Sequence, residues 1–252
     1  MNIELIDVNA NNVEKTGFFC CMSKPQSAGY RQKLDWLRAR FAEGLKIKMI
    51  AHGGRGFIEY IPGEFAWRAI RAPDYMVVHC LWVVGRAKGR GCGTALLEAC
   101  IEEAKAKDMC GVASVTAHGQ LGLVETSFFL KRGFKVVGTA PPGLALVALK
   151  FRQAPDPEFI GGWEGKRNRL GPGLTVVYTA QCPYSCSLVQ DLADVATSRN
   201  HCLNVLRLES AEQVRHESPS AYGTATIVAD GRVVAHLCHH MSGQRLERLI
   251  NQ

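Results

Sequence analysis

The chain has 252 residues, 47% of them hydrophobic and 21% charged, so a sizeable core can form and wholesale disorder is excluded. The net charge of +7 suits an anionic ligand, but no Lys/Arg block with interleaved aromatics is present, so nucleic-acid binding is not expected. No apolar stretch reaches membrane-spanning length, and the acidic start Met1–Asn9 does not read as a signal peptide; a cytoplasmic protein with mostly reduced cysteines, 10 in all, is expected.

Residues 2–8 read as an edge strand, and Asn11-Asn12 as the cap of a short helix through Val13 and Phe18. Cys20 and Cys21 are adjacent and read as small hydrophobes, since vicinal residues rarely bridge. Tyr30 to Glu43 reads as a helix with Leu34, Leu37, Ala39 and Phe41 on its apolar face, stopped by Gly44. Leu45–Ile50 and Arg55–Ile61 alternate around His52-Gly53-Gly54 and predict a hairpin, with Glu59 mid-strand. Phe65–Ile70 is expected to extend the sheet.

Met76–Val84 is a continuous apolar run and predicts a buried strand. A glycine-and-cation loop follows from Gly85 to Gly93. Then Thr94–Lys107 reads as a helix with Leu96, Leu97, Cys100, Ile101 and Ala104 on one face. Strand, glycine loop and helix N-terminus form an anion-binding device, because the first-turn N–H groups and the helix dipole both favour phosphate. Gly89, Gly91 and Gly93 are expected to let the backbone approach a ligand, with Lys88 and Arg90 adding charge. The order is neither a Walker A loop nor Gly-x-Gly-x-x-Gly, since Leu96 stands where the third glycine would be.

Met109–Ala117 predicts a strand, Val124–Arg132 a short helix ended by Gly133, and Lys135–Gly138 with Leu144–Phe151 the last strands of this half. Residues 152–173 are rich in Gly and Pro and read as a linker or strap that Trp163 anchors. A second pattern follows. Leu174–Thr179 is a strand, Cys182 opens a helix to about Ala196, Leu203–Leu208 is a strand, and Ala211–Glu217 is a short helix. Thr224–Val228 and Arg232–Leu237 form a hairpin at Asp230-Gly231, and Ser242–Ile250 is a last helix.

Lys88-Gly89-Arg90-Gly91-Cys92-Gly93, set between a buried strand and an amphipathic helix, resembles the Arg/Gln-x-x-Gly-x-Gly/Ala loop of the GCN-five-related N-acetyltransferases, the GNAT superfamily. Ser127–Phe134, a late helix ending in Gly133-Phe134, resembles a second landmark of that family. The resemblance implies an α/β (α+β) architecture: a mixed-sheet acetyl-CoA domain over 1–151, a linker over 152–173, and over 174–252 a small βαβαββα domain similar to thioredoxin or to the C-terminal part of YoaP-like proteins. It implies acetyl transfer from acetyl-CoA to the amine of a small-molecule acceptor, with the backbone of Val83 along the pantetheine arm. The pyrophosphate falls to Lys88, Gly89, Arg90, Gly91, Cys92, Gly93 and Thr94. The family's common base position falls on Val77, which leaves His79, on the same strand face, and Glu59 as candidate bases. Both also read as hydrogen-bonded or paired structural residues. The usual tyrosine acid falls on Phe129, which cannot donate a proton, and neither Tyr60 nor Tyr75 is singled out as its replacement.

In the second domain Cys182 stands at a helix N-terminus, where the dipole favours thiolate, but the spacing to Cys186 is Cys-x-x-x-Cys and Gly223 replaces the proline expected beside the thiol. Redox, docking and metal readings stay open, the last drawing on Cys238, His239 and His240, though no standard zinc motif is matched. The class alternative is a non-catalytic CoA-binding or thiol-responsive protein. Acceptor contacts are expected from Ser23–Gly44 and the segment before Tyr75, and a homodimer is compatible with the sequence.

Overall fold

A computed structural model describes residues 3–119, 122–236 and 248. The chain separates into two compact units. The first comprises Met1–Met22, Leu37–Ala66 and Ile70–Phe159; the second comprises Ser23–Trp36, Trp67–Ala69 and Ile160–Gln252. No helix among the described residues is long and apolar enough to cross a membrane.

The first unit is built on a seven-stranded sheet. Its strands are β1 (Leu5–Val8), β2 (Lys46–Ile50), β3 (Gly56–Pro62), β5 (Tyr75–Val83), β6 (Gly111–Ala117), β7 (Lys135–Ala140) and β8 (Leu144–Lys150), in the order β1-β2-β3-β5-β6-β8-β7. Only β5 and β6 run parallel; every other neighbour is antiparallel. The β5–β6 crossover carries α3 (Cys92–Ala106), whose Leu96, Leu97, Cys100 and Ala104 are buried against Ile58, Tyr60, Met76, Val78 and Val112. These are the positions that the helical period marks, and each buried leucine contributes about 1.5–3 kcal/mol of transfer free energy. β3 and β6 are buried along nearly their whole length, and their polar residues Glu59, Ser114 and Thr116 are buried with them. The short α4 (Thr126–Leu130) precedes Gly133, where φ is +85°.

Three local expectations are corrected. Asn12 does not cap α1 (Val13–Thr16); its side chain turns back to Asn9 N and Asp7 O, both at 2.8 Å, and closes a turn instead. Helix α2 (Ala28–Phe41) buries Tyr30, Lys33, Trp36 and Leu37, while Ala39 is exposed. The Lys33 ammonium lies 4.0 Å from the Trp36 ring centre, an attraction that lets a cation join the buried face. Phe65–Ile70 does not extend the sheet. Gly63–Phe65 forms a 3₁₀ turn, Trp67–Ala69 belongs to the second unit, and only β4 (Ile70–Arg71) pairs, in a two-stranded ribbon with β9 (Glu158–Phe159). At Gly63 an added Cβ would stand 1.8 Å from the carbonyl oxygen of Ala72, so only glycine fits there.

The second unit has a four-stranded sheet of β10 (Leu174–Tyr178), β11 (Leu203–Arg207), β12 (Ala225–Ala229) and β13 (Arg232–His236), in the order β11-β10-β12-β13. β10 and β11 are parallel and joined by α6 (Pro183–Ser198); β12 runs antiparallel to β10, and β13 to β12. Leu188, Val189, Leu192 and Ala196 of α6 pack on Val176, Ala225 and Ile227. Residues 152–173 hold β9 and α5 (Trp163–Asn168), and α7 (Ala211–Glu217) is capped by Ser210, whose Oγ accepts from Gln213 N. Apart from Arg248, the expected last helix Ser242–Ile250 lies outside the described residues, as do Cys238, His239 and His240.

Candidate functional site

The parallel ladder between β5 and β6 runs from Tyr75↔Gly111 to Val78↔Ser114 and stops there, where Ser114 Oγ donates to Val78 O at 3.2 Å. On its other side β5 stays paired with β3 as far as Val83↔Gly56, and β6 stays paired with β8 as far as Ala117↔Leu144. The two central strands therefore part, and no described strand pairs with the β6-facing edge of His79–Val83. A bulge helps to separate them. Glu59 faces Cys80 and Tyr60 faces Val78, so His79 is the extra residue of β5.

The edge leads straight into the glycine loop. Gly85–Ala87 makes one 3₁₀ turn, and Gly91, at φ +79°, caps α3 without any side-chain hydrogen bond. The first turn of α3 holds no acidic residue, so its N–H groups and the dipole's positive end face outward uncompensated. The glycines of the loop differ in what surrounds them. A Cβ at Gly89 or Gly91 would touch no other part of the chain within 4 Å, and both residues have a positive φ that favours glycine. Gly93 is the tight one, because its Cβ would sit 3.2 Å from Phe128 Cε2. A cleft of about 680 Å³ opens beside the loop, with His52, Arg55, Val84, Arg86, Arg90 and Cys92 among its walls.

His79 and Glu59 are brought together. Nδ1 of His79 lies 3.4 Å from Glu59 Oε1, and both side chains are almost wholly buried. Phe129, on which the resemblance places the usual tyrosine, is fully buried and packs edge-on to Phe128 and Phe134. Both tyrosines weighed as substitutes are engaged elsewhere. Tyr60 donates to Glu103 Oε2 at 2.7 Å on the α3 side, and burial first, then that bond, pushes its phenol far above the ordinary range. Tyr75, at the opposite end of β5, donates to Pro155 O at 2.8 Å, and burial with Asp156 nearby pushes it up to about 12. Sequence reasoning missed Arg132. Its Nε and Nη2 donate to Thr94 Oγ1 at 3.2 and 2.5 Å, and its guanidinium stacks 3.7 Å from the Phe128 ring centre. The only hint in the sequence was a basic pair, Lys131-Arg132, just ahead of Gly133.

In the second unit Cys182 is the half-buried N-cap residue of α6, with Pro183 in the first turn. Cys186 is buried one turn on, its Sγ 4.0 Å from Thr179 O. Burial pushes the Cys186 thiol up to about 12, and Cys182 adds to the rise. Gly223, at φ +79°, faces Arg68: a Cβ there would sit 3.3 Å from Arg68 Cδ, and the Arg68 guanidinium donates to Gln181 Oε1. The buried cations Lys33 and Arg68 in this unit were not foreseen. Among the described residues no cluster of His, Cys, Asp or Glu is arranged to hold a metal.

Comparison with known proteins gives the class. Residues 17–134 match the model of the acetyltransferase (GNAT) family. The protein called uncharacterized N-acetyltransferase YoaP, of Bacillus subtilis (strain 168), is 32% identical over 248 residues, 98% of each chain. The chain belongs to the GNAT acetyltransferase family and is by that membership an acyltransferase. Among solved structures, an N-acetyltransferase from Staphylococcus aureus Mu50 covers 60% of this chain and 100% of its own at 19% identity and a TM-score of 0.43. The structure of yncA from Salmonella typhimurium with its cofactor acetyl-CoA covers 63% and 99% at 14% identity, also with a TM-score of 0.43.

Proposed function

We propose that the protein transfers the acetyl group of acetyl-CoA to the amine of a small-molecule acceptor. The observation that carries this reading is the parting of β5 and β6 after Val78↔Ser114, which leaves a strand edge running from His79 to Val83 into a cationic glycine loop. An edge of that kind takes an amide-bearing chain by strand-like hydrogen bonds, as the pantetheine arm of CoA requires. The donor set suits the rest of the ligand. The first-turn amides of α3 lack an acid or a side-chain cap, the Cβ positions of Gly89 and Gly91 face open space, and Lys88 and Arg90 supply charge for a diphosphate. Bound there, acetyl-CoA supplies an activated acyl group with a thiolate leaving group.

The proton chemistry falls to the buried pair. In this reading the Nδ1 hydrogen of His79 is assigned to the side of Glu59, whose Oε1 lies 3.4 Å away, and Nε2 serves as the acceptor. A neutral His79 so oriented takes the proton that the attacking amine must lose, and Glu59 stabilises the imidazolium. No phenol need serve as acid, because a thiolate leaves readily without one. The second unit we read as a thioredoxin-like module. Support comes from its β11-β10-β12-β13 order and from Cys182 at the α6 N-terminus. The described cysteines are all free thiols, which suits a reducing, cytoplasmic setting.

Calorimetric titration with acetyl-CoA tests the reading. The wild type is expected to bind at micromolar strength. Gly91→Gln places a side chain in the anion seat and strains a left-handed backbone by about 1–2 kcal/mol, so it should bind at least about tenfold more weakly. Failure of the wild type to bind acetyl-CoA would overturn the proposal.

A further inference from the structure

Arg132 and Thr94 are 38 residues apart in sequence and in direct contact in the fold. A guanidinium carries five N–H donors, and three bonds are made here: Nε and Nη2 to Thr94 Oγ1, and Nη1 to Phe128 O at 2.5 Å. A hydroxyl oxygen has two lone pairs. With both facing Arg132 donors, the hydroxyl hydrogen of Thr94 is directed away from Arg132, as a donor in the first turn of α3. The position of the guanidinium is also unusual. No acid pairs with it among the described residues, and it is held against the positive end of a helix dipole, an arrangement that is unfavourable until an anion joins it. Stacking on Phe128, the ring that also limits Gly93, fixes the guanidinium in place.

We infer that Arg132 is a positioning residue for the diphosphate of the acyl donor: it orients the Thr94 hydroxyl as a phosphate donor and brings a cation to the α3 N-terminus. This rests on the acetyl-CoA reading above. Lys88 and Arg90 belong to the loop before α3, whereas Arg132 reaches the first turn of that helix from the end of α4. Arg132 does not touch the reacting carbonyl, so it governs donor affinity and not the chemical step.

The test is calorimetric binding of acetyl-CoA to the wild type, Arg132→Gln, Thr94→Val and the double variant, with thermal stabilisation by millimolar S-acetylpantetheine, which lacks the diphosphate, as control. Each single variant should bind acetyl-CoA about ten- to a hundredfold more weakly, the range of a hydrogen bond to a charged group. The double variant should lose little more than either, because the two residues act as one unit. Stabilisation by S-acetylpantetheine should be unchanged, and the loss should persist with 3′-dephospho-acetyl-CoA. If the wild type binds and both single variants bind within twofold of it, the inference is wrong while the acetyl-CoA reading stands. Loss of S-acetylpantetheine stabilisation as well would make the contact merely structural. A loss confined to the 3′-phosphorylated ligand would move Arg132 to that phosphate and overturn the diphosphate assignment. If the wild type binds neither ligand, the parent reading fails first.

Discussion

His236 ends β13, is 8% exposed, stacks on Tyr222 with ring centres 4.7 Å apart, and places Nδ1 3.2 Å from Thr226 Oγ1, itself 2.9 Å from Ser220 Oγ. Burial pushes its pKa down from 6.5 to about 4. Above pH 6.5 the ring is neutral in both folded and unfolded chains, and it contributes no pH dependence. Between 6.5 and 4 the unfolded chain takes up the proton and the folded one does not, so stability falls as pH falls and the loss is complete near pH 4. A displacement of roughly 2.5 units corresponds to about 3 kcal/mol. His236→Asn keeps a polar atom near the Nδ1 position and removes the titration. Urea unfolding followed by tryptophan fluorescence reads this unit well, because Trp36, Trp67 and Trp163 lie in it and only Trp82 in the other. The stability difference between wild type and variant should shift by about 3 kcal/mol between pH 7.5 and pH 4, against the wild type. A difference constant to within about 0.5 kcal/mol over that range would refute the argument, since other titrating groups cancel in the comparison.

Glu59→Gln and His79→Gln should each lower acetyl transfer by about a hundredfold or more while leaving acetyl-CoA affinity within about twofold, the signature of lost proton transfer; equal losses of affinity and rate would reduce the pair to a structural role. Tyr60→Phe deletes the bond to Glu103 and should destabilise the first unit by about 1–2 kcal/mol in denaturant unfolding, with turnover retained once an acceptor is found; a large loss of turnover with stability intact would make Tyr60 the missing acid. Cys186, buried and with its thiol raised to about 12, should resist iodoacetamide at pH 8 while half-buried Cys182 is alkylated, as read by peptide mass spectrometry; faster labelling of Cys186 would contradict its place in the core.

The elements most readable in the sequence were those whose partners are close in the chain. The Met76–Val84 run, the Leu96/Leu97/Cys100/Ala104 stripe and the Asp230-Gly231 turn each carry their own period or turn chemistry, and the structure realises them as β5, α3 and the β12–β13 hairpin. Phe65–Ile70 misled because an apolar run fits any buried backbone. Its course is set by the 3₁₀ turn at Gly63–Phe65 and by the place of Trp67–Ala69 in the other unit, the second of which has no local signal. Likewise Lys33 looks like a solvent-facing lysine until Trp36 is folded beneath it.

At the candidate site the division falls in the same place, and its cause is chemical. Backbone devices such as a loop that adopts positive φ at Gly89 and Gly91 leave glycines in the sequence, so the loop's conformation was legible there. Side-chain devices leave only a residue type. His79 and Glu59 were visible as candidates, but the bulge that makes His79 the extra residue, and so lets it meet Glu59 across two strands, depends on a register slip between Glu59 and Tyr60 that no periodicity records. Arg132 was less legible still, because an arginine before a helix-ending glycine is ordinarily a favourable match for the dipole of its own helix. Here that side chain leaves its helix's end and reaches the opposite, positive end of α3, where a second cation is favoured only beside an anion. That departure from the local rule has no signature in the sequence and becomes visible only when Thr94 and Arg132 are in contact.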